Sequence, residues 1–138
     1  MLICNMSIIH KYGKQTLDEM LLPLGLGWQE MSVMILLEMK PDADLALISM
    51  LLQTDKGNVT RLINNMEKKD LISRDIYRED CRRKSISLTN SGTAKLPAVH
   101  EAMAQWELLC FHGFSQEQIK QYEELNAHVI RDLMNDIQ

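Results

Sequence analysis

The chain has 138 residues, of which 46% are hydrophobic and 25% are charged, the composition of an ordinary folded protein. This length favours one domain and allows a core without a disulfide or metal. The composition excludes a disordered chain, and no apolar run reaches the roughly 18 residues of a membrane span. The apolar start at 1–14 lacks a charged leader and a small-residue cleavage site. It therefore predicts the first turns of a helix, not a signal peptide.

The cysteines and histidines give little evidence of structural metal or disulfide chemistry. The three cysteines are an odd number and widely spaced, at Cys4, Cys81 and Cys110. They form neither a disulfide framework nor a metal knuckle, which favours a reducing cytoplasm. The histidines lack ligand spacing, so we expect no metal and no cofactor. The absence of a phosphate loop, a nucleophile elbow and a paired-carboxylate motif predicts that the protein is not an enzyme.

Charge is distributed unevenly along the chain, whose net charge is −4. Residues 56–84 contain nine Lys or Arg and five Asp or Glu, whereas all other residues contain six bases and fourteen acids. A basic segment on an acidic protein is typical of a molecule that meets a polyanion with one face. The alternative is a solvated helix and hairpin whose charge is incidental.

Apolar residues at helical spacing predict four helices in the first half of the chain, at 2–22, 28–39, 45–52 and 56–69. Gly25 and Gly27 end the first helix, and Pro41 requires the second to stop before it. Asp44 and Asp55 precede the third and fourth helices as N-caps. The turn at Gln53 and Thr54 joins two short helices, which indicates a helix–turn–helix.

The fourth helix is strongly two-faced. Its predicted buried residues recur at i, i+3, i+4 and i+7, and they are Val59, Leu62, Ile63 and Met66. The opposite face is polar and basic. Alternating patterns then predict strands at 72–77 and 85–89, separated by the charged loop 78–84. This hairpin follows the helix–turn–helix directly, as the wing of a winged helix does.

Two long helices complete the predicted order. One covers about 90–111, with Thr89 or Ser91 as its cap and Pro97 as an irregularity. Gly113 breaks the chain, and Ser115 with Gln118 forms a capping box for a last helix that reaches about 136. The predicted fold is mainly α with a small β-hairpin, a winged helix–turn–helix flanked by helices at both ends.

Four stretches of the sequence resemble the MarR (multiple antibiotic resistance regulator) family over nearly the whole chain. They are LGLGWQEMSVMILLEM (24–39), GNVTRLINNMEKKDLISRD (57–75), EDCRRKSISLTNSGTAKLP (79–97) and GFSQEQI (113–119). The third contains the family's wing signature D-x-R-x-x-x-I-x-L-T, matched by Asp80, Arg82, Ile86, Leu88 and Thr89. One departure is Gln53, because the family often has glycine at this turn position.

The resemblance implies a homodimer that binds a pseudo-palindromic operator in double-stranded DNA and regulates transcription, usually by repression. It also implies one MarR-like domain over 1–138, with a winged lobe at about 28–89. The helices at about 1–22 and 90–136 would form the dimer interface. Helix–turn–helix dimers present two recognition helices about one turn of DNA apart.

Expected DNA contacts lie on the fourth helix and the wing. The helix supplies Lys56, Asn58, Thr60, Arg61 and Asn64, because arginine can pair with guanine and asparagine with adenine in the major groove. Asn58 pointing aside, Thr60 binding only phosphate, and simple exposure are the alternatives. In the resembling family the wing arginine, here Arg82, enters the minor groove and is oriented by the aspartate, here Asp80. The expected phosphate contacts are Arg78, Arg83 and Lys84.

The resemblance also suggests a small phenolic or anionic effector, bound between the dimer helices and the winged lobe. Candidate pocket residues are His10, Tyr12, Trp28, Met31 and Trp106. Ordinary core packing is the favoured alternative for each of them.

Cysteine-based redox sensing is a further alternative, with Cys4 in the first helix and Cys81 in the wing as candidates. Cys4 lies in an apolar stretch and is interpreted first as a buried small hydrophobic residue. Cys81 lies beside Arg82 and Arg83, which would favour its thiolate, although a neutral filler is the simpler interpretation. A winged-helix protein-interaction module that binds no DNA is the main rival from another functional class.

Overall fold

The computed structural model describes residues 1–76 and 84–136 and confirms the predicted mainly helical fold with a two-stranded antiparallel hairpin. The elements in chain order are α1 (Leu2–Leu21), a 3₁₀ turn (Leu22–Leu24), α2 (Trp28–Met39), α3 (Leu45–Leu52), α4 (Lys56–Lys68), β1 (Ile72–Ile76), β2 (Lys84–Leu88), α5 (Asn90–Cys110) and α6 (Gln116–Asp136). The chain forms two compact units, Met1–Ala104 and Gln105–Gln138, whose boundary falls within α5. The single-domain organisation stays a prediction.

The predicted helix caps are present. The side chains of Asp44 and Asp55 accept hydrogen bonds from the backbone N–H groups of Leu47 and Asn58, each at 2.9 Å. Thr89, the first of the two predicted α5 caps, accepts from the Gly92 N–H at 3.0 Å. These bonds satisfy donors that a helix start leaves unpaired, which explains why these residues fix the helix boundaries.

The last helix begins with the predicted capping box. The Gln118 side chain accepts from the Ser115 N–H at 2.9 Å, and the Ser115 hydroxyl accepts from the Gln118 N–H at 3.2 Å. In contrast, the expected irregularity at Pro97 is not seen, because α5 continues as an α-helix through this residue.

The core of the first unit is formed by one face each of α2, α3, α4 and the hairpin, together with the end of α1 and the first half of α5. Val33, Met34, Ile48, Ile63 and Ile86 are among the residues that are completely buried. Leu62, predicted to be buried, is only half-buried. The apolar stripe of α1 is buried only at Leu17 and Leu21. Most of the remaining apolar side chains of α1 are exposed within the single chain.

Cys4 is exposed on α1, so its interpretation as a buried apolar residue is wrong. The segment around it is apolar, but α1 packs on the rest of this chain only near its carboxyl end. Cys110 is also exposed. Partial burial and the nearby Glu107 carboxylate raise the pKa of the Cys110 thiol, which favours its neutral form.

No single helix among the described residues is both long and apolar enough to cross a membrane. Leu2–Leu24 and Trp28–Met39 would pass such a test only as a pair, and they are bent by 77°.

Candidate nucleic-acid interface

The turn between α3 and α4 sets the position of α4, the second helix of the helix–turn–helix. Gln53 occupies the left-handed region at φ 49° and ψ 48°, which is the conformation that favours glycine. The Gln53 N–H donates to the Met50 carbonyl at 3.3 Å, and the Thr54 N–H donates to the Ser49 carbonyl at 3.2 Å. This is the hydrogen-bond pattern of a Schellman motif. The departure from glycine at this position therefore leaves the turn geometry intact.

Side chains reinforce the same turn. The Gln53 amide donates to the Met50 carbonyl at 2.6 Å, and the Ser49 hydroxyl donates to the Thr54 carbonyl at 2.5 Å. The residues around the turn line a shallow, open depression of about 600 Å³, bounded by Ala46, Ser49, Met50, Gln53, Thr54, Asp55 and Lys56. Hydrogen bonds within the turn therefore fix the position of the amino end of α4.

One face of α4 is buried and the other is polar. Val59, Ile63 and Met66 are at most 1% exposed. Lys56, Thr60 and Arg61 are exposed on the opposite side, as predicted, and Asn64 is half-buried. The buried face fixes the rotation of the helix about its axis, and so determines which polar side chains point outward.

Asn58 is occupied by local bonds. Its side-chain N–H₂ group donates to the Thr54 hydroxyl at 3.1 Å and to the Asp55 carboxylate at 3.0 Å. Its side-chain carbonyl accepts from the Arg61 guanidinium. The N–H₂ group of Asn58 is therefore fully used within the chain, and a DNA contact by this residue stays a prediction.

Thr60 and Arg61 keep groups available for a ligand. The Thr60 hydroxyl donates to the Lys56 carbonyl at 2.8 Å, which leaves the hydroxyl oxygen able to accept. Arg61 is exposed and bonds to Asn58 through one guanidinium nitrogen. Since a guanidinium carries five N–H donors, most of its hydrogen-bonding capacity remains.

Two basic side chains of the 56–84 segment are paired with acids inside the chain. The Lys69 ammonium lies 2.7 Å from the buried Glu30 carboxylate and also donates to the Gly25 carbonyl at 2.9 Å. The Arg74 guanidinium lies 2.8 Å from Glu67. Fewer basic side chains are therefore free to bind a polyanion than the number of basic residues in this segment indicates. In the described part of the segment, exposed bases on α4 are Lys56, Arg61 and Lys68.

Sequence reasoning did not identify the junction between the wing and α5. The Thr89 hydroxyl donates to the Asp70 carbonyl at 2.5 Å, and the Ser91 hydroxyl donates to the Asp70 carboxylate at 2.9 Å. A Cβ atom on Gly92 would lie 2.1 Å from the Leu71 carbonyl oxygen. Only glycine permits this approach of α5 to the end of α4. The sequence signal was the short run Thr89 to Gly92 directly after the second strand.

The predicted wing contacts lie outside the described residues. These are Arg78, Asp80, Arg82 and Arg83, together with the candidate redox residue Cys81. For Lys84 the structure describes only the backbone, which pairs with Ile76. Their roles stay predictions from the sequence.

The candidate effector residues are dispersed. Met31 is buried in the core, which agrees with its interpretation as a packing residue. His10 and Tyr12 are exposed on α1, so within the single chain the interpretation as core packing is wrong for both. Trp28 is half-buried at the start of α2, and the Lys14 ammonium lies 5.2 Å from the centroid of its ring. Trp106 belongs to the second unit. Among the described residues, no group of three His, Cys, Asp or Glu side chains is arranged to hold a metal.

The element order and the α3–α4 turn define a winged helix–turn–helix protein. The sequence model of the MarR family matches residues 26–84, which include the helix–turn–helix and both strands. Residues 26–84 therefore form a MarR-family domain, and the family resemblance predicted from sequence is confirmed. No curated protein sequence matches the chain significantly.

Solved structures share this fold over almost the whole chain. A MarR transcriptional regulator from Methanosarcina mazei Go1 is 19% identical, with a TM-score of 0.85 over 99% of this chain and 98% of that one. MepR from S. aureus, solved as a DNA complex, is 23% identical, with a TM-score of 0.83 over 96% and 98%. CouR from Rhodococcus jostii RHA1, solved with p-coumaroyl-CoA, is 18% identical, with a TM-score of 0.79 over 89% and 87%.

Proposed function

We propose that the protein is a homodimeric, sequence-specific DNA-binding transcriptional regulator that represses transcription until a small effector releases it. The observation that carries the proposal is the exposed basic face of α4, with Lys56 and Arg61, on a helix whose other face is buried in a helix–turn–helix. A similar fold in MepR binds DNA. A basic helix presented in this way suits the major groove of duplex DNA.

The proposed contacts divide between the grooves and the backbone. Arg61 would read guanine in the major groove, while Lys56 and Thr60 would bind phosphate near the amino end of α4. Arg82, oriented by Asp80, would enter the minor groove, and Arg78, Arg83 and Lys84 would bind flanking phosphates. Phosphate contacts supply affinity and salt dependence, and base contacts supply the sequence preference.

Dimerisation is proposed because both ends of the chain carry uncovered apolar side chains. On α1, Leu2, Ile3, Ile9 and Tyr12 are each at least 55% exposed. No residue of α6 is buried within the chain, and its exposed apolar residues include Leu125, Ile130, Leu133 and Met134. Large apolar side chains exposed in this number on one helix are typical of an interaction site. A second copy of the chain would cover it.

A small-molecule effector is proposed by analogy with CouR, which was solved with p-coumaroyl-CoA bound. Trp28, with the Lys14 ammonium over its ring, offers an aromatic and cationic surface beside α1. Such a surface suits a phenolic or anionic molecule. His10 and Tyr12 on α1 and Trp106 on α5 are the remaining candidates, and the buried Met31 would contact a ligand only from the core side.

The experiment that tests the proposal is a fluorescence-anisotropy titration of labelled random duplex DNA at several salt concentrations. We expect tight binding at low salt that weakens steeply as salt rises, because each phosphate contact releases a counterion. The double variant Lys56→Ala/Arg61→Ala is expected to bind at least about tenfold more weakly and with a shallower salt slope. Lys120→Ala on α6, which removes one exposed lysine outside the helix–turn–helix, is the control and is expected to bind like the wild type.

The wing is tested with Arg82→Ala in the same titration, repeated at fixed salt with a duplex that the wild type selects from a random pool as its operator. We expect this variant to lose operator binding while the dimer stays folded. A weak response that does not depend on salt would contradict the DNA-binding proposal. It would favour the protein-interaction module instead.

Redox sensing through Cys4 is a second candidate mechanism, favoured by the exposure of this thiol on α1. Oxidation there would alter a surface that we propose to be part of the dimer interface. Peroxide should then weaken DNA binding by the wild type and leave Cys4→Ser unaffected. Equal responses of the two proteins, or no response, would exclude a role for Cys4.

A further inference from the structure

Arg74 is a charged residue on the inner face of the hairpin. It pairs with Ile86 across the strands and follows Ile72 by two residues. Residues in these relations share one face of a sheet, and Ile72 and Ile86 are at most 1% exposed. The Arg74 side chain is itself only 21% exposed. A charge in this position requires partners, because an unpaired buried charge costs several kcal/mol or more.

The partners of Arg74 lie on the recognition helix α4. Its Nε and Nη2 atoms donate to one carboxylate oxygen of Glu67 at 3.0 and 2.8 Å. Nη2 also donates to the side-chain carbonyl oxygen of Asn64. Glu67 follows Asn64 by three residues, so the two side chains are neighbours on the helix surface. Arg74 therefore connects β1 to the polar face of α4.

This contact fixes the orientation of the Asn64 amide. A guanidinium only donates hydrogen bonds, so the carbonyl oxygen of Asn64 must face Arg74 and the N–H₂ group must face away. No acceptor among the described residues binds that N–H₂ group. Asn64 thus presents its hydrogen-bond donors on the side away from β1, while its carbonyl oxygen is directed at the Arg74 guanidinium.

Asn58, in the first turn of α4, has no free donor on its side-chain amide. Asn58 uses its carbonyl oxygen for Arg61 and its N–H₂ group for Thr54 and Asp55. The familiar pairing of asparagine with adenine needs one free acceptor and one free donor on the same amide. Asn58 has no free donor, and the carbonyl oxygen of Asn64 is directed at Arg74, so neither of these two amides presents both groups to a base.

We propose that Arg74 determines base specificity by holding Asn64 as a donor-only reader of the major groove. Asn64 then selects a base edge that presents acceptors, above all guanine with its O6 and N7 atoms, and does not pair with adenine. Arg74 is a positioning residue in this scheme, since it acts through Asn64. The inference rests on the proposed DNA-binding function and adds the base that one side chain reads.

The test begins with selection of preferred duplexes from a random pool by the wild-type protein. The selected duplex and each of its single-base-pair substitutions are then titrated with wild type, Arg74→Met, Asn64→Ala and the double variant. Arg74→Met keeps an apolar stem and removes every donor. Lys68→Met, which removes an exposed charge from the same helix, is the control and should change the affinity for all duplexes by one common factor.

We expect one G·C pair in each half-site to lose its preference, by about fivefold, in Asn64→Ala, since one hydrogen bond is worth roughly 1 kcal/mol. At that same pair, Arg74→Met should shift the preference toward A·T, because the freed amide can offer a donor and an acceptor together. In the double variant the preference at this pair should equal that of Asn64→Ala alone.

Three results would overturn the inference. If Arg74→Met lowers the affinity for every duplex by one factor, Arg74 has only a structural role, although the protein still binds specific DNA. If the wild type selects no sequence from the pool, the proposed function fails and the inference fails with it. If Arg74→Met does not fold, Arg74→Ile replaces it, because a β-branched residue suits a strand and its side chain also has no donor. A folded Arg74→Ile protein with the wild-type base profile would contradict the inference.

Discussion

The proposed recognition helix α4 and the last helix α6 are both amphipathic, but only α4 has its apolar face buried within the chain. The apolar face of α4 is buried by its neighbours, and its polar face is organised by bonds from Asp55, Thr54 and Arg74. In α6 no side chain is buried, and residues such as Leu133 remain more than half exposed. The difference suggests that the helix–turn–helix is assembled by the single chain, whereas the terminal helices are completed by a second chain. The predictions below test the two halves of this comparison, from the largest expected effect to the smallest.

Gly92→Ala should have the largest effect, because it destabilises the region that is assembled by the single chain. The new Cβ atom would lie 2.1 Å from the Leu71 carbonyl oxygen, so α5 must move away from the end of α4. We expect the free energy of unfolding to fall by about 3 kcal/mol or more. Chemical denaturation monitored by circular dichroism measures this change.

Gly57→Ala in the first turn of α4 is the matched control. Its Cβ atom would lie 3.2 Å from an Asp55 carboxylate oxygen, a contact that a side chain can relieve. A near-neutral effect is expected there. Equal losses at the two glycines would show that the close approach at Gly92 has no special importance.

Glu30→Ala should remove the ion pair that connects α2 to Lys69, the residue directly after α4. Glu30 is 7% exposed, its carboxylate binds the Lys69 ammonium at 2.7 Å, and it accepts from the Gly27 N–H at 3.0 Å. We expect a loss of about 2–3 kcal/mol, because two donors lose their acceptor, although Lys69 is half exposed and partly regains water. Thermal unfolding of Glu30→Ala beside Glu38→Ala measures the difference. Glu38 is an acid on the same helix that is paired at 2.7 Å with the exposed His100, and such exposed pairs contribute little to stability. The account is contradicted if Glu38→Ala is equally destabilised.

Leu133→Glu should disrupt the region that needs a partner. Leu133 is 55% exposed in the single chain, so its replacement should leave monomer folding nearly unchanged. Dimer dissociation should become about 30-fold easier or more, because a charge would be buried in an apolar interface, at a cost of about 2 kcal/mol. Sedimentation velocity over a concentration series provides the measurement.

Gln121→Glu adds the same charge at an exposed polar position of α6 and serves as the control for Leu133→Glu. It should sediment like the wild type. If Leu133→Glu also leaves the oligomeric state unchanged, the apolar face of α6 does not mediate self-association.

Gln53→Gly should have the smallest effect and sharpens the description of the turn. Glycine adopts the left-handed backbone conformation at φ 49° without strain, which is stabilising. It also loses the hydrogen bond from the Gln53 side chain to the Met50 carbonyl and gives the unfolded chain more freedom, and both effects are destabilising. The opposing terms should leave a net change within about 1 kcal/mol. Gln53→Ala keeps the strain of the left-handed backbone and also loses the side-chain hydrogen bond to Met50. It should therefore be the less stable of the two variants in thermal unfolding. The reverse order would mean that Gln53 is not strained.

The helices and strands were predictable because their signals are local. Asp44, Asp55 and the Ser115 box mark helix starts within one turn, and the buried positions of α4 follow from its period. The winged fold followed from the order of these elements.

Features that depend on distant contacts were not predictable. Arg74 occupies an inward-facing strand position because Asn64 and Glu67 are there to receive it, and the sequence shows no such pairing. Gly92 is required by a carbonyl 21 residues earlier, at Leu71. Cys4 lies in an apolar stretch, which predicted burial, yet nothing in a local pattern shows whether an apolar face is covered by its own chain or by a partner.

Native mass spectrometry of the protein with a duplex selected from a random pool tests the central claim most directly. If two copies of α4 read neighbouring turns of DNA, the complex will contain two chains and one duplex. A complex of one chain with one duplex, or no complex even at low salt, would contradict it.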